Sequence, residues 1–157
     1  MQISERRYST PLQDKSVRVA IVTALFNEKI TTSLAAAAAA ELQKLGLDAS
    51  RIVRLNVPGA WELPLAAKKL FAEKRADAIV ACGCVIRGDT GHYDIVANES
   101  ARGLTQVALE FTKPVMNAVL TVENTAQAEA RALGDETNKG AEAARSLIEL
   151  LNNFAAL

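Results

Sequence analysis

The chain has 157 residues, half of them hydrophobic and 23% charged, the composition of one globular domain large enough to bury a core. Eighteen basic residues balance 18 acidic ones, so no net charge points to nucleic acid or to an anionic membrane surface. No stretch reaches the roughly 18 apolar residues of a membrane span, and the polar first 16 residues lack a secretion signal's apolar centre, so a cytoplasmic protein is expected.

Residues 1–16 carry neither a helical nor a strand period and read as an N-terminal arm or a frayed end; residues 17–157 form the folded domain. Val17 to Thr23 is a first strand, followed by a polar turn around Asn27-Glu28. A helix is then expected from about Thr31 to Leu45, with six consecutive alanines from Ala35 to Ala40 whose small side chains allow close packing on a sheet. Gly46 ends it. Ile52 to Val57 is a second strand closed by Pro58-Gly59, and Pro64 opens a second helix that runs to about Lys74. Asp77 to Ile86 is a long apolar run, the pattern of a strand buried on both faces. Tyr93, Val96, Ala97, Leu104, Val107, Ala108 and Phe111 then recur at helical spacing. Pro114 to Thr121 is a fourth strand, and Thr125 to about Leu133 a short helix. Lys139 to Phe154 is a last, amphipathic helix with Ala141, Ala144, Ile148, Leu151 and Ala155 toward the core.

Strand and helix alternate with short connections, which specifies an α/β fold: one doubly wound domain, with a four-stranded parallel sheet and helices on both faces. The arrangement is flavodoxin-like, with strand order 2-1-3-4. In such sheets ligands bind at the C-terminal ends of the strands. Those ends carry Leu25-Phe26-Asn27, Pro58-Gly59-Ala60-Trp61-Glu62, Ile86 to His92 and Val122-Glu123-Asn124, and they are expected to converge on one site.

Each signal is weak by itself. Phe26 reads as rim packing or as a ring that stacks on a planar ligand, and Glu62 as a hydroxyl partner or a helix cap. His92, the one histidine, falls where a helix starts, among free N–H groups that favour an anion. It is also the side chain whose ordinary pKa lies near neutrality. Asp94 lies two residues on and does not face it along a helix. Gly83 to Gly88 mimics a phosphate loop, but Asp89-Thr90 stands where Lys-Ser/Thr would be needed. Arg87-Gly88-Asp89 spells an adhesion tripeptide, here a coincidence. Cys82 and Cys84 face one side of a strand and read as buried thiols, without metal-ligand spacing.

Together these turns resemble the lumazine synthase family, in register from about Val17 to Asn153. The resemblance rests on Phe26-Asn27, Pro58 to Pro64, Val85-Ile86-Arg87-Gly88-Asp89-Thr90-x-His92-Tyr93-Asp94 and Asn98-Glu99. Leu120 to Asn124, Gln127, Ala130-Arg131 and Asn138-Lys139-Gly140 extend it. It implies condensation of 5-amino-6-(D-ribitylamino)uracil with 3,4-dihydroxy-2-butanone 4-phosphate to 6,7-dimethyl-8-ribityllumazine, the penultimate step of riboflavin biosynthesis. By position, Phe26 would stack on the pyrimidine, and Ala60, Trp61 and Glu62 would contact the pyrimidine and ribityl parts. Cys84, Val85 and Ile86 would offer backbone to the ring. Asp89 and Thr90 match the phosphate-binding turn and Arg131 the cation that neutralises the phosphate. His92 matches the proton-transfer residue, and Lys139 lies at a position lining the site.

The resemblance implies no metal and no cofactor. It implies a homo-oligomer built on pentamers, whose sites lie between adjacent subunits and take Asn117, Arg131 and Lys139 from across the interface. Apolar surface left on the helices, including residues 35–40 and the stripes of the third and last helices, is expected to be covered in that assembly. Two departures stand out. Asn117 occupies a position often aromatic in the family, so a hydrogen bond would replace ring packing. The segment Leu133-Gly134-Asp135-Glu136-Thr137 differs from the Gly/Lys-rich version common in the family's sixty-subunit shells, at unchanged length. Rival readings are an archaeal-type riboflavin synthase, which joins two lumazines, and a binding or shell protein without activity. The Pro-Gly-Ala-Trp-Glu and Arg-Gly-Asp-Thr-x-His strings favour lumazine synthase.

Overall fold

The apolar runs become four parallel strands, β1 (Val19–Ala24), β2 (Ile52–Val57), β3 (Ala78–Ile86) and β4 (Val115–Val122), in the order β2-β1-β3-β4. The computed structural model describes residues 10–134 and 137–157, so the first nine residues of the expected arm, and Asp135-Glu136, lie outside the described residues. β1 pairs with β2 through Val19 opposite Ile52, and with β3 through Val19 opposite Ala78. β4 pairs only with β3, from Ile79 opposite Val115 to Ile86 opposite Val122. The central strands are apolar on both faces because helices cover both.

Alternation along the strands divides the core in two. Val19, Ile21, Val80, Cys82, Cys84, Ala118 and Leu120 face α1 (Glu28–Lys44), α4 (Thr125–Ala132) and α5 (Lys139–Ala155). Ala20, Val22, Ile79 and Ala81 face α2 (Leu63–Ala72) and α3 (His92–Phe111). Single 3-10 turns at Ala49–Arg51 and Ala60–Glu62 lead into β2 and α2. Among the described residues no helix is long and apolar enough to cross a membrane.

Three details differ from the sequence expectation. Helix α1 starts at Glu28, not Thr31, because Asn27 takes the left-handed conformation (φ 61°) and completes the turn from β1 in three residues. Its end follows expectation: Gly46 (φ 102°) sends its N–H to Gln43, and Leu47 sends its own to Leu42, a Schellman closure. The alanine run is consumed within the chain, since Ala35, Ala38 and Ala39 are buried between the sheet and α5 and only Ala36 and Ala40 are exposed. In α5, Ala155 is exposed and Asn152 takes a core position. Asn152 is polar because it anchors the preceding strap: its Nδ2 donates to the Pro11 carbonyl and its Oδ1 accepts from Gln13 N–H, beside buried Leu12.

Candidate active site

At the C-terminal ends of β1, β2 and β3 lies a cavity of about 500 Å³. It is lined by Phe26, Asn27, Gly59, Ala60, Trp61, Glu62, Cys84, Val85, Ile86, His92, Ile95 and Val96. Eight of the expected residues therefore meet here: Phe26, Ala60, Trp61, Glu62, Cys84, Val85, Ile86 and His92. Phe26 is 68% and Trp61 55% exposed, aromatic surface that the chain leaves to water at this rim. Rim packing alone does not account for it.

The turn from β1 displays Phe26 through backbone and side-chain bonds. Phe26 N–H donates to the Pro58 carbonyl at 3.0 Å, and Asn27 Nδ2 donates to the Cys84 carbonyl at 3.0 Å. Gly59 makes room for the ring: a Cβ there would stand 2.5 Å from Phe26 Cδ2. Glu62 ends the turn after β2, with Oε2 accepting from Gly59 N–H at 2.9 Å. Its carboxylate is thereby held at the cavity wall, so capping and lining are one role in geometry. Burial pushes the Cys84 thiol up to about 11 and Cys82 to about 12, so both stay protonated near neutrality and are poor nucleophiles.

His92 is the first residue of α3, with its backbone N–H 3.4 Å from Thr90 Oγ1. Asp89 and Thr90 stand exposed in the turn before it and line neither this cavity nor the next one. The end of β4 does not join the wall as expected. Glu123 is drawn to Arg87 instead, its Oε2 accepting from Nε at 2.9 Å, and Asn124 caps α4 by accepting from Gln127 N–H.

Asn117, Arg131 and Lys139 line a second cavity of about 380 Å³ between the β4 edge, α4 and α5. None of the three lines the His92 cavity, although Asn117 also lines a smaller one, about 260 Å³, with Tyr93 and Asp94 of α3. Arg131 donates to the Gln127 carbonyl in the last turn of α4, and Lys139 pairs with Glu142 at 2.6 Å. Lys139 is set by close helix packing: Asn138 caps α5 through Gly140 and Ala141 N–H, and a Cβ at Gly140 would overlap the Leu34 carbonyl of α1. Asn117 Oδ1 accepts from Val119 N–H at 2.9 Å, which orients the amide along the exposed strand edge.

The sequence reading left Ile95 and Val96 off the site, and it placed Asn27 and Gly59 there only as members of the converging strand-end turns, with no role of their own. Asn27 was visible as a polar residue in a strand-end turn, the type that tolerates left-handed backbone. Ile95 carried a weaker signal, an apolar residue outside the buried stripe of α3.

A family model described as 6,7-dimethyl-8-ribityllumazine synthase matches residues 16–155. The chain is 48% identical over 152 residues to a protein of that name from Leptothrix cholodnii, covering 97% of this chain and 96% of the other. It is 45% identical over 146 residues to one from Verminephrobacter eiseniae, covering 93% and 92%. A third, from Albidiferax ferrireducens, is 48% identical over 141 residues, 90% and 87% of the two chains. The match spans every strand and helix described above, and the chain belongs to the 6,7-dimethyl-8-ribityllumazine synthase family.

Proposed function

We propose that this protein condenses 5-amino-6-(D-ribitylamino)uracil with 3,4-dihydroxy-2-butanone 4-phosphate to 6,7-dimethyl-8-ribityllumazine, releasing phosphate and water. The carrying observation is a family match along residues 16–155 together with one cavity lined by an exposed ring, a carboxylate and the one histidine. Phe26 stacks on the pyrimidine, while Ala60, Trp61 and Glu62 hold the pyrimidine and ribityl parts and the Cys84–Ile86 backbone meets the ring edge. Asp89 and Thr90 form the turn that receives the phosphate. A Schiff base forms, phosphate leaves and the ring closes, so protons move to and from nitrogen and oxygen. His92 carries them. Much of the acceleration comes from holding two small substrates together, a contribution that reaches about 7–11 kcal/mol in favourable cases.

Asn117, Arg131 and Lys139 act on a neighbouring subunit's cavity. Arg131 and Lys139 line a cavity apart from that of His92 within one chain, which supports this reading, as does exposed apolar surface at Leu65, Ile95 and Leu109. A closed five-fold ring, in the cytoplasm, is the assembly proposed. Arg131 then neutralises the phosphate. Incubation with both substrates tests the activity: lumazine absorbance should rise with an equal release of phosphate. Substrate binding with no phosphate released would favour a module without activity and overturn the proposal.

A further inference from the structure

Packing does not hold the turn that carries Asp89, Thr90 and His92. A Cβ built at Gly88 or at Gly91 would meet no atom within 4 Å. What spans this open turn is Arg87. Its backbone N–H donates to the carbonyl of Val122, the last residue of β4, at 2.9 Å, and its Nε donates to Oε2 of Glu123, the next residue, at 2.9 Å. The two terminal nitrogens of the guanidinium donate to the two carboxylate oxygens of Asp94, each at 3.3 Å. Its carbon also lies 4.1 Å from the centre of the Tyr93 ring. One planar cation thus joins β3, the end of β4 and the first turn of α3, on the two residues that follow His92.

We propose that Arg87 is a positioning residue for the condensation, fixing the start of α3, and with it His92 and the Asp89–Thr90 turn, against the ends of β3 and β4. This rests on the role proposed above for His92. Arg87 lines neither cavity and touches no reacting atom; it acts through the turn. The hydrogen bonds it donates to Asp94 first, and to Glu123, raise its pKa, so the guanidinium stays charged. Its side chain is 39% exposed, and exposed ion pairs add little to stability, so the clamp's effect is on geometry rather than on folding. Lysine cannot replace it, because one ammonium cannot bridge Asp94 in a fork, reach Glu123 and lie over Tyr93 together.

Purified Arg87→Ala, Arg87→Lys, Glu123→Gln, His92→Ala and the double variant Arg87→Ala/His92→Ala test this by steady-state kinetics with each substrate varied. Arg87→Ala should lose about ten- to a hundredfold in kcat, the scale of a misplaced group, at near-native melting temperature and oligomer size. KM for the pyrimidine should change least. Arg87→Lys should not rescue the rate, Glu123→Gln should lose part of it, and the double variant should lose less than the two single losses combined. Should His92→Ala slow the reaction while Arg87→Ala keeps its full rate, the positioning role is overturned and the reading of His92 stands. Additive losses in the double variant also overturn it. Full activity in His92→Ala would remove the His92 reading and this proposal with it.

Discussion

At the scale of single residues, the cavity's groups separate by what each would lose. His92→Ala should slow condensation by about 10²-fold or less, because positioning survives while proton transfer falls to water; purified protein at wild-type rate would take His92 out of the mechanism. Arg131→Ala should raise KM for the phosphorylated substrate and spare the pyrimidine, since a charge-assisted contact is lost but ring contacts stay. Equal losses for both substrates, with the assembly intact, would count against phosphate recognition. Gly59→Ala makes a separate point. The added methyl would meet the Phe26 ring, which is exposed and free to swing aside, so the melting temperature should hold. KM for the pyrimidine should rise about three- to tenfold, the worth of one aromatic contact. An unchanged KM would mean that the ring does not stack on substrate.

At the scale of elements, the proposed function rests on two helix starts. Helix α3 begins at His92 with its turn clamped by Arg87. Helix α5 begins at Lys139, and its first turn reaches the α1 backbone so closely that only glycine fits at position 140. Gly140→Ala must push α5 off α1 or bend both, and the clash is with a carbonyl rather than with a flexible side chain. The expected cost is about 2–3 kcal/mol, which for a domain of this size is a fall of roughly 5–10 °C in Tm. Calorimetry beside activity would show whether Lys139 moves as well: the loss should include a raised KM for the phosphorylated substrate. A melting temperature within a degree of wild type would show that the contact relaxes freely.

At the scale of the molecule, the two cavities define the question. His92 and Phe26 line one, Arg131 and Lys139 the other, and a ring of subunits would bring one subunit's first cavity to its neighbour's second. Mixing His92→Ala with Arg131→Ala subunits should then restore part of the activity, because some hybrid interfaces carry neither lesion. Sedimentation of the active enzyme as a monomer at its working concentration would end this picture. A ring would not draw its covered surface from the alanine run, whose residues Ala35, Ala38 and Ala39 are already buried inside the subunit. Leu65, at 73% exposure, and Leu109, at 76%, are the better measures of what a partner covers.

The sequence by itself determined the strands, their order and the turns at the strand ends. Strand alternation, glycine at a helix end and dispersed motifs at fixed spacing are local or pairwise signals, and they survive without coordinates. Gly46 and the doubly buried β3 were legible for that reason. Only the tertiary structure decided which turns share a wall. The end of β4 left the cavity because Arg87 captured Glu123, a contact across 36 residues that no local pattern encodes. Asn27 joined it because a left-handed backbone and a bond to the Cys84 carbonyl 57 residues away fixed its place. Asn152 entered the core because Pro11 and Gln13, about 140 residues earlier, supply its hydrogen bonds. Periodicity reports which face of an element is buried; it carries no record of which distant polar group satisfies a buried one.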